Sequence, residues 1–184
     1  IKPTPSIGGV GLIKNYKKVI TMNFKKIDNL VLVVGKTEGH LDQSIFARDI
    51  LNEKNGPPPE INLFNEKNNG LLVQMLISKK LVSSVHDISS GGIIVALTEM
   101  CISGKIGAHI KIPRNNIGKH EYLFGEDQSR YLLEIDKKNK MEVSELLEKS
   151  SVYYEIIGKT QKEYLSLDKD FTVKLAELEQ DNTF

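Results

Sequence analysis

The chain has 184 residues, 40% of them hydrophobic and 27% charged, a balance that suits one globular domain, or one domain and a piece of another, with a core of its own. Its 25 basic and 24 acidic residues leave a net charge of +1, so no global field points to nucleic acid or to an anionic membrane. The one cysteine, Cys101, excludes an internal disulfide and fits a reducing compartment, and no apolar run reaches the length of a membrane span.

Residues 7–13 alternate apolar residues with glycines after two prolines, which predicts a strand approached closely by other backbone. A short strand is expected over 19–24 and a polar turn over 25–29. Residues 30–34, Leu-Val-Leu-Val-Val, have the continuous apolar character of a strand buried on both faces. Apolar positions 41, 45, 46, 47, 50 and 51 predict a helix over 41–51, closed by the loop Asn55-Gly56-Pro57-Pro58-Pro59. Asn65 can cap a second helix, which buries Leu71, Leu72, Met75, Leu76 and Leu81. A strand follows over 82–85, then an apolar helix over 93–102 closed by Gly104. Strands are expected over 108–112, 131–135, 152–157 and 164–167, and helices over 142–149 and 171–178. This order predicts an α/β (α+β) fold, a layered mixed sheet with helices. The main domain boundary is expected near Ile27-Asp28, dividing 1–27 from 28–184, and the opening Ile1-Lys2-Pro3 reads as part of something longer.

Two segments carry polar groups in places where chemistry can happen. In the first, a strand ends at Val85, a polar loop holds His86, Asp87, Ser89 and Ser90, and Gly91-Gly92 opens a helix. Helix N-termini present unpaired N–H groups and positive potential, and glycine lets an anion approach them. Asp87 could hold a divalent cation beside such an anion, since hard cations prefer carboxylate oxygen. The plainer alternative is that Asp87 or Ser89 caps the helix and His86 is structural. The second segment, Leu123-Phe124-Gly125-Glu126-Asp127-Gln128-Ser129-Arg130, precedes an apolar strand. Glu126, Asp127 and Gln128 suit a metal, or the amide and hydroxyl groups of a ligand; a solvated charged turn is the alternative. The glycines at 8, 9 and 11 lack the spacing of a nucleotide loop, and His40, His109 and His120 lack zinc spacing.

Taken in order, Pro3-Thr4-Pro5-Ser6-Ile7-Gly8-Gly9-Val10-Gly11-Leu12-Ile13, Asn55-Gly56-Pro57-Pro58-Pro59, Ser84-Val85-His86-Asp87-Ile88-Ser89-Ser90-Gly91-Gly92 and Leu123–Arg130 resemble the phosphoribosylformylglycinamidine synthases, in the last quarter of their large subunit. The resemblance covers nearly the whole chain. It implies a fold of the aminoimidazole-ribonucleotide (AIR) synthetase C-terminal type. It also implies an ATP- and Mg²⁺-dependent ligase of purine synthesis in the cytoplasm, which joins glutamine-derived ammonia to formylglycinamide ribonucleotide. Residues 1–27 would close the second A lobe and 28–184 would form the second B lobe, with the catalytic histidine on an absent lobe and the fragment inactive alone. His86, Ser89, Ser90, Gly91, Gly92, Gly125, Glu126, Asp127 and Gln128 would then line an auxiliary nucleotide pocket, with Asp87 beside its metal.

The implied partners are the missing A and B lobes, a separate glutaminase subunit and a small bridging subunit. The end of the chain, Leu175-Ala176-Glu177-Leu178-Glu179, resembles the family's C-terminus. This sequence departs from the family at Asp127, where the first lobe has serine, at Asp42, where many relatives have glycine, and at Ser90, where many have an acidic residue. Two rival readings stand beside this one: another reaction of the superfamily, such as AIR or selenophosphate synthesis, and a non-catalytic binding module.

Overall fold

Five successive apolar residues need cover on both faces, and strand β1 (Leu30–Val34) obtains it in the interior of the sheet. The computed structural model describes residues 7–13, 15–113 and 116–181. Among them the chain runs through β1, α1 (Ile45–Asp49), α2 (Leu63–Ser78), β2 (Ser84–Asp87), α3 (Gly92–Gly104), β3 (Gly107–Ile110), α4 (Lys119–Phe124), β4 (Tyr131–Ile135), α5 (Lys140–Lys149), β5 (Tyr154–Gln161), β6 (Tyr164–Leu167), β7 (Phe171–Lys174) and α6 (Leu175–Asp181). The seven strands lie in the order β2-β4-β1-β5-β3-β6-β7. β3 and β6 pair in parallel; the other pairings are antiparallel, as where Leu30 faces Ile135 and Val34 faces Tyr131.

Alternation along β1 divides the core. Val31 and Val33 join Leu132, Ala108 and Ile157 beneath α3, with Ile93, Leu97 and Met100 packed on them. Leu32 and Val34 point the other way, into Leu72 and Leu76 of α2 and Val143 and Leu147 of α5. The mixed, layered sheet expected from the sequence is therefore present, with helices on both faces.

Several boundaries differ from the pattern-based expectation, each for a local reason. Residues 7–13 form no strand: Ile7, Val10 and Leu12 are fully exposed, and Gly8, Gly9 and Gly11 have nothing packed on them. Residues 19–24 also form no strand. Instead Phe24 is buried and its N–H donates to the Met100 carbonyl at 3.2 Å, crossing the end of α3. A Cβ on Gly104 would lie 2.5 Å from the Phe24 oxygen, so glycine permits the crossing. The helix expected over 41–51 shrinks to α1, because Gln43 takes φ +62° and the Ser44 hydroxyl then caps the Ala47 N–H. α2 is capped by Asn62, whose side-chain oxygen accepts from Phe64 and Asn65, and not by Asn65. The expected 171–178 helix divides into β7, which pairs with β6, and α6. Helix α4 was not apparent in the sequence; its polar residues face outward while Tyr122 and Leu123 are buried.

Glu134 of β4 is fully buried. One carboxylate oxygen accepts from the Lys26 N–H at 3.0 Å and the Asn29 side-chain amide at 2.7 Å. The other accepts from the Lys25 N–H and the Ser84 hydroxyl, each at 2.9 Å. It thereby ties residues 25–29 to β2 and β4.

Cys101 is a core residue of α3, and burial pushes its thiol up to about 12. It is expected to resist thiol reagents at pH 8 in the folded chain and to react fully once the chain is unfolded in urea. The raised value means that its contribution to stability is intact below the unfolded thiol's pKa, about 8.5, and is lost as pH rises towards 12. Rapid labelling at pH 8 without denaturant would contradict this. No helix among the described residues is long and apolar enough to cross a membrane.

Candidate functional site

The two polar segments meet through backbone contact. After β2 the Ile88 N–H donates to the Arg130 carbonyl at 2.9 Å, and the exposed Ser89 and Ser90 turn the chain into Gly91 and Gly92. These glycines take φ +83° and +70°, a conformation costly for residues with a Cβ. At Gly92 there is also no room, since a Cβ would lie 2.6 Å from the Leu123 oxygen and 2.7 Å from the Gly125 oxygen. Gly125 in turn lies against Gly39, where a Cβ would come within 2.9 Å of the Gly39 Cα. Glycine at 39, 92 and 125 thus lets three segments cross at van der Waals distance.

Glu126 joins two helix starts. Its Oε1 accepts from the Gly91 N–H at 2.8 Å and from the Ile45 N–H at 2.9 Å. A carboxylate is favoured at a helix N-terminus by its free N–H groups and its dipole, and here one oxygen serves both α3 and α1. Neither Asp87 nor Ser89 caps α3: its N-cap is Gly91, without a side-chain cap.

His86 and Asp87 stand on β2 rather than in a loop, paired with Leu132 and Tyr131. The His86 ring, 14% exposed, lies between two carboxylates, with Nε2 3.0 Å from Glu99 and Nδ1 3.3 Å from Asp87. The Asp87 side chain is 70% exposed. Among the described residues no group of three or more His, Cys, Asp or Glu side chains is placed to hold a metal ion.

Asp127 is turned inward, 8% exposed. Its Oδ2 accepts from the Glu38 and Gly39 N–H groups and its Oδ1 from the His40 N–H, all at 3.0 Å. Beneath it Arg130, 2% exposed, donates to the Gly125 carbonyl at 2.6 Å, the Asp127 carbonyl at 3.0 Å and the Thr37 hydroxyl at 3.2 Å. Its Nη1 lies 3.6 Å from the Asp127 carboxylate. Burial lowers the guanidinium below its ordinary value and the Asp127 charge opposes that fall.

A cleft of about 700 Å³ opens between residues 36–42, the start of α2 and residues 127–129. His40 Nε2 lies 3.0 Å from the Pro57 carbonyl, and the Gln43 amide donates to the Gly56 carbonyl at 2.9 Å, which ties the proline loop to this wall. Asp127 and Gln128 line the cleft; His86, Asp87, Ser89, Ser90, Gly91, Gly92, Gly125 and Glu126 do not. The sequence reading missed Asn62, Asn65 and Asn69, which also line it. Their spacing of three and four residues was the available signal, because it puts all three on one helical face.

Residues 26–168 match the family described as AIR synthase related protein, C-terminal domain. The phosphoribosylformylglycinamidine synthase subunit PurL of Pelagibacter ubique (strain HTCC1062) is 55% identical over 183 residues, covering 100% of this chain and 25% of that protein. The PurL subunit of Rhodopseudomonas palustris (strain BisB5) is 39% identical over 97% of this chain and 24% of its own length. The chain therefore spans about a quarter of the curated relatives it matches. Among solved structures, Thermotoga maritima PurL complexed with FGAR superposes with a TM-score of 0.72 at 17% identity, covering 89% of this chain and 30% of that one. The same protein complexed with ATP gives 0.67 at 16% identity over 89% and 27%. The T. maritima PurLQS structure gives 0.71 at 15% identity over 87% and 27%. At these identities the superpositions show a shared fold. The family match runs through both cores and all three glycine crossings, and the chain belongs to the AIR synthase related protein C-terminal domain family.

Proposed function

We propose that this chain is the end of the second A lobe and the whole second B lobe of the large subunit of a phosphoribosylformylglycinamidine synthase. The observation that carries this reading is 55% identity along the whole chain to a PurL subunit four times its length. In this reading the complete enzyme is a ligase of purine synthesis in the cytoplasm. It uses ATP, with Mg²⁺, to activate the amide oxygen of formylglycinamide ribonucleotide, and glutamine-derived ammonia then displaces phosphate to leave the amidine. Such chemistry depends on positioning and charge neutralisation more than on a protein nucleophile. Residues 1–27 close the preceding A lobe and 28–184 form the B lobe. The partners are the absent lobes, a glutaminase subunit and a small bridging subunit. The complexes of T. maritima PurL with FGAR and with ATP support the ligand class.

On this chain the auxiliary nucleotide wall comprises His86, Ser89, Ser90, Gly91, Gly92, Gly125, Glu126, Asp127 and Gln128. Asp87 supplies one carboxylate to a metal whose remaining ligands come from outside the chain. The exposure of Asp87, Ser89 and Ser90 supports this arrangement. The Gly91 N–H is already taken by Glu126, so on this wall the serine hydroxyls meet the phosphate. The fragment has no synthase activity by itself.

The test is a graft. This chain replaces the matching quarter of the Pelagibacter PurL subunit, and amidine formation is followed with ATP, ammonia and formylglycinamide ribonucleotide. The chimera is expected to keep activity within about tenfold of the parent, a change of about 1.4 kcal/mol in barrier, while the 184-residue chain alone gives none. A folded chimera without activity, or turnover by the chain alone, would sink the proposal.

A further inference from the structure

The cleft beside α2 shares only Asp127 and Gln128 with the proposed nucleotide wall, and the rest of its lining stands apart from that wall. Its charges do not suit an anion. Lys36 is its one lysine, and that ammonium is held by Glu38 at 2.7 Å. Asp127 is satisfied by three backbone N–H groups and by Arg130. Asp42, Glu60 and Glu121 also line the cleft and form no ion pair among the described residues. A phosphate placed here meets like charge, and the one lysine of the lining is already engaged by Glu38.

The amide side chains supply what the charges do not. Asn62, the N-cap of α2, and Asn65 and Asn69 within the helix line the cleft, with Gln128 also in the lining. The Asn62 oxygen is used in capping the helix, leaving its amino group. The Asn69 amino group donates to the Ser129 carbonyl at 2.8 Å, leaving its oxygen. Asn65, displaced from the capping role, and Gln128 are both solvent-exposed. Each amide offers donors and acceptors side by side, and the carboxylates add acceptors. A hydroxyl both donates and accepts, so a ligand with neighbouring hydroxyls satisfies this lining, while Leu41 and Pro59 offer apolar surface to its carbon face.

We propose that this cleft binds an uncharged ligand carrying vicinal hydroxyls, a sugar or a nucleoside, and discriminates against its phosphorylated form. This binding belongs to the chain's own cleft and does not depend on the synthase reading.

The experiment titrates the isotopically labelled 184-residue chain with ribose, adenosine and adenosine 5′-monophosphate, following amide shifts by NMR. Ribose or adenosine is expected to move the amides of residues 38–42, 62–69 and 127–129. The monophosphate is expected to bind at least about tenfold more weakly than adenosine, from the repulsion of its dianion. Binding by ribose identifies the sugar as sufficient; binding by adenosine alone identifies the nucleoside. Asn65→Leu combined with Gln128→Ala is expected to weaken binding by about fivefold or more, the loss of one or two hydrogen bonds. Both positions are exposed, and Gln128→Ala alone gives a second reading should the pair unfold. No binding by ribose or adenosine, a monophosphate that binds as well as adenosine, or unchanged affinity in a folded variant would each overturn the proposal.

Discussion

Asp127→Ala is expected to destabilise the chain by about 3–5 kcal/mol, because it removes the countercharge of a buried arginine. Arg130 would keep its bonds to the Gly125 and Asp127 carbonyls and to Thr37, but its charge would have no carboxylate beside it. Three backbone N–H groups, of Glu38, Gly39 and His40, would lose their acceptor together. For a chain of this size the loss corresponds to a fall in melting temperature of about 10–15 °C. Asp127→Asn keeps one side-chain oxygen as acceptor and is expected to lose less. Urea unfolding gives the free energies, and hydrogen exchange at residues 38–40 locates the damage. Wild-type stability in the alanine variant would show that Arg130 does not need its partner. The experiment also bears on the cleft, whose wall over residues 36–42 is held by this carboxylate.

Glu134→Ala is expected to cost about 4–6 kcal/mol, the sum over four donors left without an acceptor in a buried site. The more telling variant is Glu134→Gln. All four neighbours donate: two backbone N–H groups, the Asn29 amide and the Ser84 hydroxyl. A carboxylate offers two acceptor oxygens, whereas an amide offers one oxygen and one more donor. With its oxygen kept towards Lys26 and Asn29, glutamine turns its amino group on the Lys25 N–H, a peptide donor that cannot reverse. The Ser84 hydroxyl can rotate and accept, so the cost of Gln is expected to be about 2–3 kcal/mol, roughly half that of Ala. Trypsin is expected to cleave after Lys25 or Lys26 faster in both variants, because residues 25–29 lose their tie to β4. Equal stability of the Gln variant and the wild type would contradict this account.

The local patterns of the chain were informative where burial is two-sided or strictly periodic. Residues 30–34 could be read as a strand buried on both faces because no exposed position could tolerate five consecutive apolar side chains, and β1 lies inside the sheet between β4 and β5. Residues 131–135 and 164–167, mostly apolar around Glu134 and Ser166, were also legible as strands and form β4 and β6. Residues 7–13 misled, since alternation of apolar residues and glycine describes a strand only where other strands pair with it, and among the described residues none does. Residues 171–174 misled in the opposite sense. Their pattern allows a helix, but β6 offers an open edge and the chain takes it.

The motif from His86 to Gly92 was visible in the sequence as a polar stretch before a glycine pair, and the residues that could carry chemistry could be named from it. What they do locally was settled by contacts distant in sequence. Gly91 and Gly92 required glycine by their backbone conformation, but the collision that also requires it at Gly92 comes from residues 123–125. A carboxylate at the start of α3 was foreseeable, but its source was not: it is Glu126, 35 residues away, rather than Asp87 or Ser89. Asp127 had the character of a solvent-facing turn residue and is instead buried over Arg130. By itself the sequence determined the layered α/β class, the doubly buried strand over 30–34 and the polar segments, because these follow from short-range periodicity and residue chemistry. Only the tertiary structure decided which polar groups share a cleft and which carboxylates are consumed in holding the fold. Hydrogen bonds and steric contacts act over a few ångströms, and the folded chain alone decides which residues come that close.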